Sequence, residues 1–115
     1  MEKTVIIVDD NRKIIEAVSD LLVKHSFKVL GTGINGQEAV NLYKSLNPDY
    51  VVMDIEMPKY DGLYGIDEIL KVDFDAKIIV MSTDEKYEQQ TIGKAARFLV
   101  KPNQIISLPK ILNSI

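Results

Sequence analysis

Apolar and polar positions follow two rhythms along the chain. Residues 5–8, 50–53, 77–81 and 97–100 are short, almost continuously apolar runs, with a weaker one at 28–32. Runs this short and this apolar suit strands covered on both faces, as in a parallel sheet. Between them Ile14, Val18, Leu21 and Leu22 recur at helical spacing, as do Ala39, Tyr43 and Leu46, then Leu63, Ile66, Ile69 and Leu70. Asn47-Pro48-Asp49 and Asp73-Phe74-Asp75 break the chain where helices should stop. The pattern predicts five strands and five helices, βα five times over, in the α/β class. Right-handed crossovers then put helices on both faces of one open, doubly wound sheet. The fourth helix is the poor one: across residues 85–96 its best face offers only Tyr87, Thr91, Ile92 and Ala95. The fifth contains Pro109, which is tolerable if the helix starts near Ser107 and the proline falls in the first turn.

The 115 residues suit one domain, expected to span 1–115, with enough chain for a single sizeable core. A formal net charge of −3 and the lack of any basic cluster leave no electrostatic footprint for nucleic acid. No apolar run exceeds four residues, so neither a transmembrane helix nor a signal-peptide core is predicted, and no membrane partner is expected. Cysteine is absent, which excludes disulfides and cysteine-ligated metal and suits a cytoplasmic location. The apolar last residue, Ile115, suggests a domain cut from a longer chain.

The chemistry gathers where the strands end. The first predicted strand runs into Asp9 and Asp10, the third into Asp54, the fourth into Ser82 and the fifth into Lys101. Parallel strands end on one edge, and the crevice outside that edge is where open α/β sheets bind ligands. Helix capping explains any one of these residues, but it explains the set badly. Two carboxylates about 5 Å apart, at an effective dielectric of about 20, repel by roughly 3 kcal/mol. A third worsens this, so the cluster needs a cation or must partly protonate. All-oxygen ligands with room for water point to Mg²⁺, with Mn²⁺ as a substitute. Opposite such an ion, Lys101 completes a two-sided clamp for a phosphoryl group, Ser82 can donate to a phosphoryl oxygen, and a carboxylate is a competent nucleophile.

The acid pair Asp9-Asp10, the block DIEMPKYDG from Asp54 to Gly62, Ser82 after the fourth strand and Lys101-Pro102 together resemble a response-regulator receiver domain of the CheY-like type. The resemblance covers essentially the whole chain. It implies a flavodoxin-like sheet in the order 2-1-3-4-5. It also implies a signalling module of a two-component system, of the kind used in phosphorelays and chemotaxis, rather than an enzyme with an external substrate. Its only catalysis would be self-catalysed phosphotransfer and autodephosphorylation. By the same resemblance Asp54 is the phosphoacceptor, taking its phosphoryl group from the phosphohistidine of a sensor histidine kinase or phosphotransfer protein. Asp9, Asp10, Asp54 and the backbone carbonyl of Glu56 hold Mg²⁺. Ser82 and Lys101 bind phosphoryl oxygens, Phe98 is the aromatic switch, and a downstream protein target reads the result. Glu56 and Asp84 sit at rim positions that tune attacking water.

Four departures from the family's pattern surround the fourth helix and fifth strand. Thr83 stands where a small Ala is common, and Lys94 where a Gly often lies. Asn103 replaces a frequent Phe, and only eighteen residues separate Ser82 from Lys101. They leave open a pseudo-receiver, the same fold acting as a phosphate-independent protein-interaction module. Two other classes fit worse. A haloacid-dehalogenase nucleophile motif meets Asp54-Ile55-Glu56 only loosely, and Pro58 replaces its expected Thr. A flavodoxin needs a first loop rich in Ser, Thr and Gly, where DDNRK supplies anions. Elsewhere, Ser82 can also cap a helix and Phe98 can serve as core. His25 is expected to cap the first helix or sit exposed, and Asp61 to shape a turn with Gly62.

Overall fold

The computed structural model describes residues 2–115. Strands β1 (Lys3–Val8), β2 (Phe27–Gly33), β3 (Tyr50–Asp54), β4 (Ile78–Ser82) and β5 (Arg97–Val100) alternate with helices α1 (Arg12–Lys24), α2 (Gly36–Leu46), α3 (Gly62–Val72), α4 (Tyr87–Thr91) and α5 (Leu108–Asn113). The sheet is wholly parallel, in the order β2-β1-β3-β4-β5.

Each central strand splits its residues between two cores, as period-two side chains require. Ile6, Val8, Val51, Met53, Ile78 and Val80 face α2 and α3, meeting Ala39, Tyr43, Ile66 and Ile69. Val5, Ile7, Val52, Ile79 and Met81 face α1 and α5, meeting Val18, Leu22, Leu108 and Leu112. This is why the strands read as continuous apolar runs: neither face meets water.

The helix ends follow local chemistry. Asn47 closes α2 in the left-handed region, with φ at 45°, just before Pro48. His25 closes α1 and is exposed, its Nδ1 lying 2.9 Å from the Leu21 carbonyl. Asp61 does more than shape a turn: it is the N-cap of α3, its Oδ1 accepting from the Tyr64 N–H at 2.9 Å. Pro109 falls in the first turn of α5, behind Ser107 as N-cap.

The fourth helix is shorter than the window from 85 to 96. It holds five residues and has no side-chain cap at Lys86. Thr91 turns its hydroxyl back onto the carbonyls of Tyr87 and Glu88, Gly93 has φ at 81°, and the Ala96 N–H is taken by the Ile78 carbonyl. The chain has joined the sheet before a longer helix can form.

Candidate functional site

Sheet hydrogen bonds carry the site residues to the carboxyl edge and fix their backbones. Asp9 extends the β1–β2 ladder by one bond, its N–H donating to Gly33 at 3.0 Å; Lys101 extends β4–β5, donating to Ser82 at 2.8 Å. Asp54 and Ser82 are the last residues of β3 and β4. Groups placed on strand ends in this way are held more firmly than groups on loops.

One carboxylate oxygen from each of Asp9, Asp10 and Asp54 lies within 4.8 Å of the others; Asp9 and Asp54 are buried and Asp10 is exposed. Lys101 reaches between the two buried acids, its Nζ 2.8 Å from Asp9 Oδ2 and 3.3 Å from Asp54 Oδ1, with a side chain only 8% exposed. Backbone N–H groups also bind both acids. Asp9 Oδ1 accepts the Asn11 N–H at 2.8 Å, and Asp54 Oδ1 accepts the Ile55 N–H at 2.9 Å. Asp54 Oδ2 has no hydrogen-bond partner among the described residues, and no buried side-chain oxygen is left unpaired, so this atom faces solvent.

Burial pushes the Asp54 carboxyl up to about 6. The Asp9 carboxylate adds to the rise, while Lys101 and the Ile55 N–H pull against it. Burial also disfavours the Lys101 ammonium, but its hydrogen bond to Asp9 and the charges of Asp54 and Asp9 outweigh that, and the net shift is upward. One ammonium therefore stands against three carboxylates. The surplus negative charge, the all-oxygen donor set and an acid open to water suit a hard divalent cation of the Mg²⁺ kind.

The other expected residues are placed less uniformly. Ser82 is buried at the rim, and its Oγ accepts the Asp84 N–H at 3.1 Å, so it caps no helix. Asp84 is paired with Lys86 at 3.3 Å. Phe98 is half-buried and packs, as Tyr87 and Ala95 also do, against the α2–α3 core. Glu56 is exposed in the β3–α3 loop.

That loop is held by the Gly62 N–H donating to Ile55 at 2.8 Å. A Cβ on Gly62 would collide with the Asp54 carbonyl and lie 2.8 Å from Ile55 Cα. Gly62→Ala is expected to cost about 1–3 kcal/mol, read by thermal unfolding, because backbone cannot yield as a flexible side chain can.

Two features escaped the sequence reading. The N-cap of α1 is Asn11, not an aspartate, accepting from Lys13 and Ile14 at 3.0 and 3.4 Å. Lys59 sits at φ 69° without being a glycine.

The class to which this fold and edge belong is clear: the response regulator receiver domain family matches residues 5–113, and the chain belongs to it. Among individual relatives, it is 41% identical to the chemotaxis protein CheY of Thermotoga maritima over 118 residues, covering 100% of this chain and 98% of the relative. Among solved structures, a chain of the CheX–CheY–BeF₃–Mg²⁺ complex from Borrelia burgdorferi has a TM-score of 0.89 at 31% identity, covering 97% of this chain and 87% of that one. The response regulator TrrA of Thermotoga maritima, crystallised with Mg²⁺–BeF, has a TM-score of 0.89 at 32% identity, with 97% of each chain covered.

Proposed function

We propose that this receiver is a working phosphoacceptor in a two-component pathway, with Asp54 as the acceptor. The observation that carries the reading is the crowding of Asp9, Asp10 and Asp54 within 4.8 Å, with the Lys101 ammonium between the two buried acids. Crowding that is merely structural would need no third, solvent-facing carboxylate. Asp9, Asp10, Asp54 and the Glu56 carbonyl are the groups that would hold Mg²⁺. Once bound, Mg²⁺ supplies positive charge to the transferring phosphoryl oxygens.

Asp54 Oδ2, free of protein hydrogen bonds, is the oxygen that attacks phosphorus. The donor's P–N bond breaks, and the ring, protonated on its other nitrogen, leaves with the electron pair as neutral imidazole. Lys101 exchanges its contact with Asp54 for one with a phosphoryl oxygen, and Ser82 turns its hydroxyl the same way. That movement releases the Asp84 N–H and opens space toward Phe98, coupling the site to the α4–β5 surface. The donor is a sensor histidine kinase or phosphotransfer protein. The output is protein–protein contact, as in the Borrelia complex of CheX with CheY. No helix among the described residues is long and apolar enough to cross a membrane, and a cytoplasmic pathway is the setting we infer.

The test is incubation with Mg²⁺ and acetyl phosphate, followed by mass spectrometry. A gain of about 80 Da on Asp54 supports the reading. Mg²⁺ binding with no adduct, and no response to beryllofluoride, would instead favour the pseudo-receiver. A second expected result concerns pH. Binding Mg²⁺ requires the ionised Asp54 carboxyl, so affinity by calorimetry should hold above pH 6 and fall about tenfold per unit below it.

A further inference from the structure

Beside the acidic edge lies a cleft of about 630 Å³ that the phosphoacceptor reading does not use. Asp10 lines it and belongs also to the carboxylate cluster. Ile15, Ile34 and Pro58 supply apolar surface, and Arg12 and Lys59 line it as well. Its volume is that of a small-molecule site rather than a surface ripple.

Three observations say what it fits. Arg12 and Lys59 are exposed and enter no ion pair among the described residues, so two positive charges are uncommitted at one side of an acidic site. Ile34 is 53% exposed, although smaller or polar residues would serve a corner that only needs to turn. Lys59 occupies the left-handed region at φ 69°, where glycine is the unstrained choice and a side chain is retained against a conformational penalty. An apolar lining with two uncommitted cations in it, sharing Asp10 with the acidic cluster, matches a small organic acyl phosphate.

We infer that this cleft is a donor subsite, in which the apolar body of an acyl phosphate rests on Ile15, Ile34 and Pro58 while Arg12 and Lys59 receive the departing carboxylate. The inference rests on Asp54 being the phosphoacceptor. In the step, Asp54 Oδ2 forms a bond to phosphorus and the bond from phosphorus to the acyl oxygen breaks. The electron pair leaves on the carboxylate, and no proton or further reactant is required. Negative charge grows on that carboxylate as the transition state is approached, which is where fixed cations are most effective.

Phosphoramidate, whose leaving group is ammonia and has neither an apolar body nor a carboxylate, provides the contrast. The measurement is the second-order rate of adduct formation on Asp54 with benzoyl phosphate, acetyl phosphate and phosphoramidate, in saturating Mg²⁺. In R12A/K59A the ratio of the benzoyl phosphate rate to the phosphoramidate rate is expected to drop about tenfold or more from its wild-type value. Ile34→Ser should lower the ratio of benzoyl to acetyl phosphate. Lys59→Gly separates a structural role from a positioning one: its melting temperature should hold or rise while the benzoyl preference falls. Ratios unchanged across these variants would overturn the subsite and leave the phosphoacceptor reading intact. No adduct from any donor in the wild type would overturn both.

Discussion

Asp54→Asn is expected to form no phosphoryl adduct and, in the absence of metal, to be more stable than the parent near pH 8. Both results come from the same atoms. The amide cannot act as the attacking oxyanion, so phosphorylation is lost altogether rather than slowed. Asn keeps an oxygen for the Ile55 N–H, which Asp54 Oδ1 accepts at 2.9 Å, so the end of β3 stays in place. Lys101 keeps its closer partner, Asp9 Oδ2 at 2.8 Å. What disappears is a carboxylate whose ionisation burial and Asp9 oppose, holding its titration up at about 6 against 3.8 for an ordinary aspartate. That difference corresponds to a penalty on the order of 2–3 kcal/mol in the ionised native state.

The pH course gives the sign. Between pH 4 and 6 the unfolded aspartate has lost its proton and the folded one retains it, so the native state binds more protons. Stability then falls as pH rises through that window, and the loss is complete above it. Unfolding in EDTA should show this decline in the parent and not in Asp54→Asn, with the two converging below pH 4. Millimolar Mg²⁺ should reverse the order at pH 8, because only the parent offers the full set of carboxylates. If Asp54→Asn proves less stable than the parent throughout, the carboxyl is not strained by its neighbours.

The places where the structure went beyond the sequence share a cause. Strand positions were legible because burial on both faces leaves a mark at every residue, as at Val5 to Val8 and Ile78 to Met81. The convergence of the strand-end residues was legible because parallel strands end on one edge. Non-local choices were not. Asp9, Asp10 and Asn11 can all cap a helix. Asn11 takes the cap because Asp9 is still hydrogen-bonded to Gly33 across the sheet. Likewise, α4 ends early because Ala96 is claimed by Ile78, eighteen residues back in the chain. The left-handed Lys59 has no local sign, since the turn from Pro58 to Asp61 contains no glycine. The Lys101–Asp9 bond joins residues 92 apart, and only the assembled edge brings them to 2.8 Å.

That bond sets the other large effect. Lys101→Met is expected to destabilise the metal-free protein by about 3–5 kcal/mol, the usual result of removing one partner from a buried charge pair. Methionine fills much of the lysine stem's volume, so the loss is one of charge rather than packing. Asp9 is wholly buried and Asp54 is 5% exposed, so Asp9 recovers none of its hydration, and Asp54 little, when the ammonium goes. Magnesium affinity should move the other way. The ammonium now offsets part of the charge that draws the ion and repels the ion itself, so binding should tighten about tenfold or more. Phosphorylation should not follow the metal. One side of the proposed phosphoryl clamp is missing, and transfer from acetyl phosphate should slow by about a hundredfold. Calorimetry, unfolding in EDTA and in Mg²⁺, and the rate of adduct formation read the three quantities separately. Tighter metal binding with slower transfer would place the Lys101 charge on the phosphoryl group. If both weakened together, the ammonium would serve chiefly to hold Asp9 and Asp54 in position.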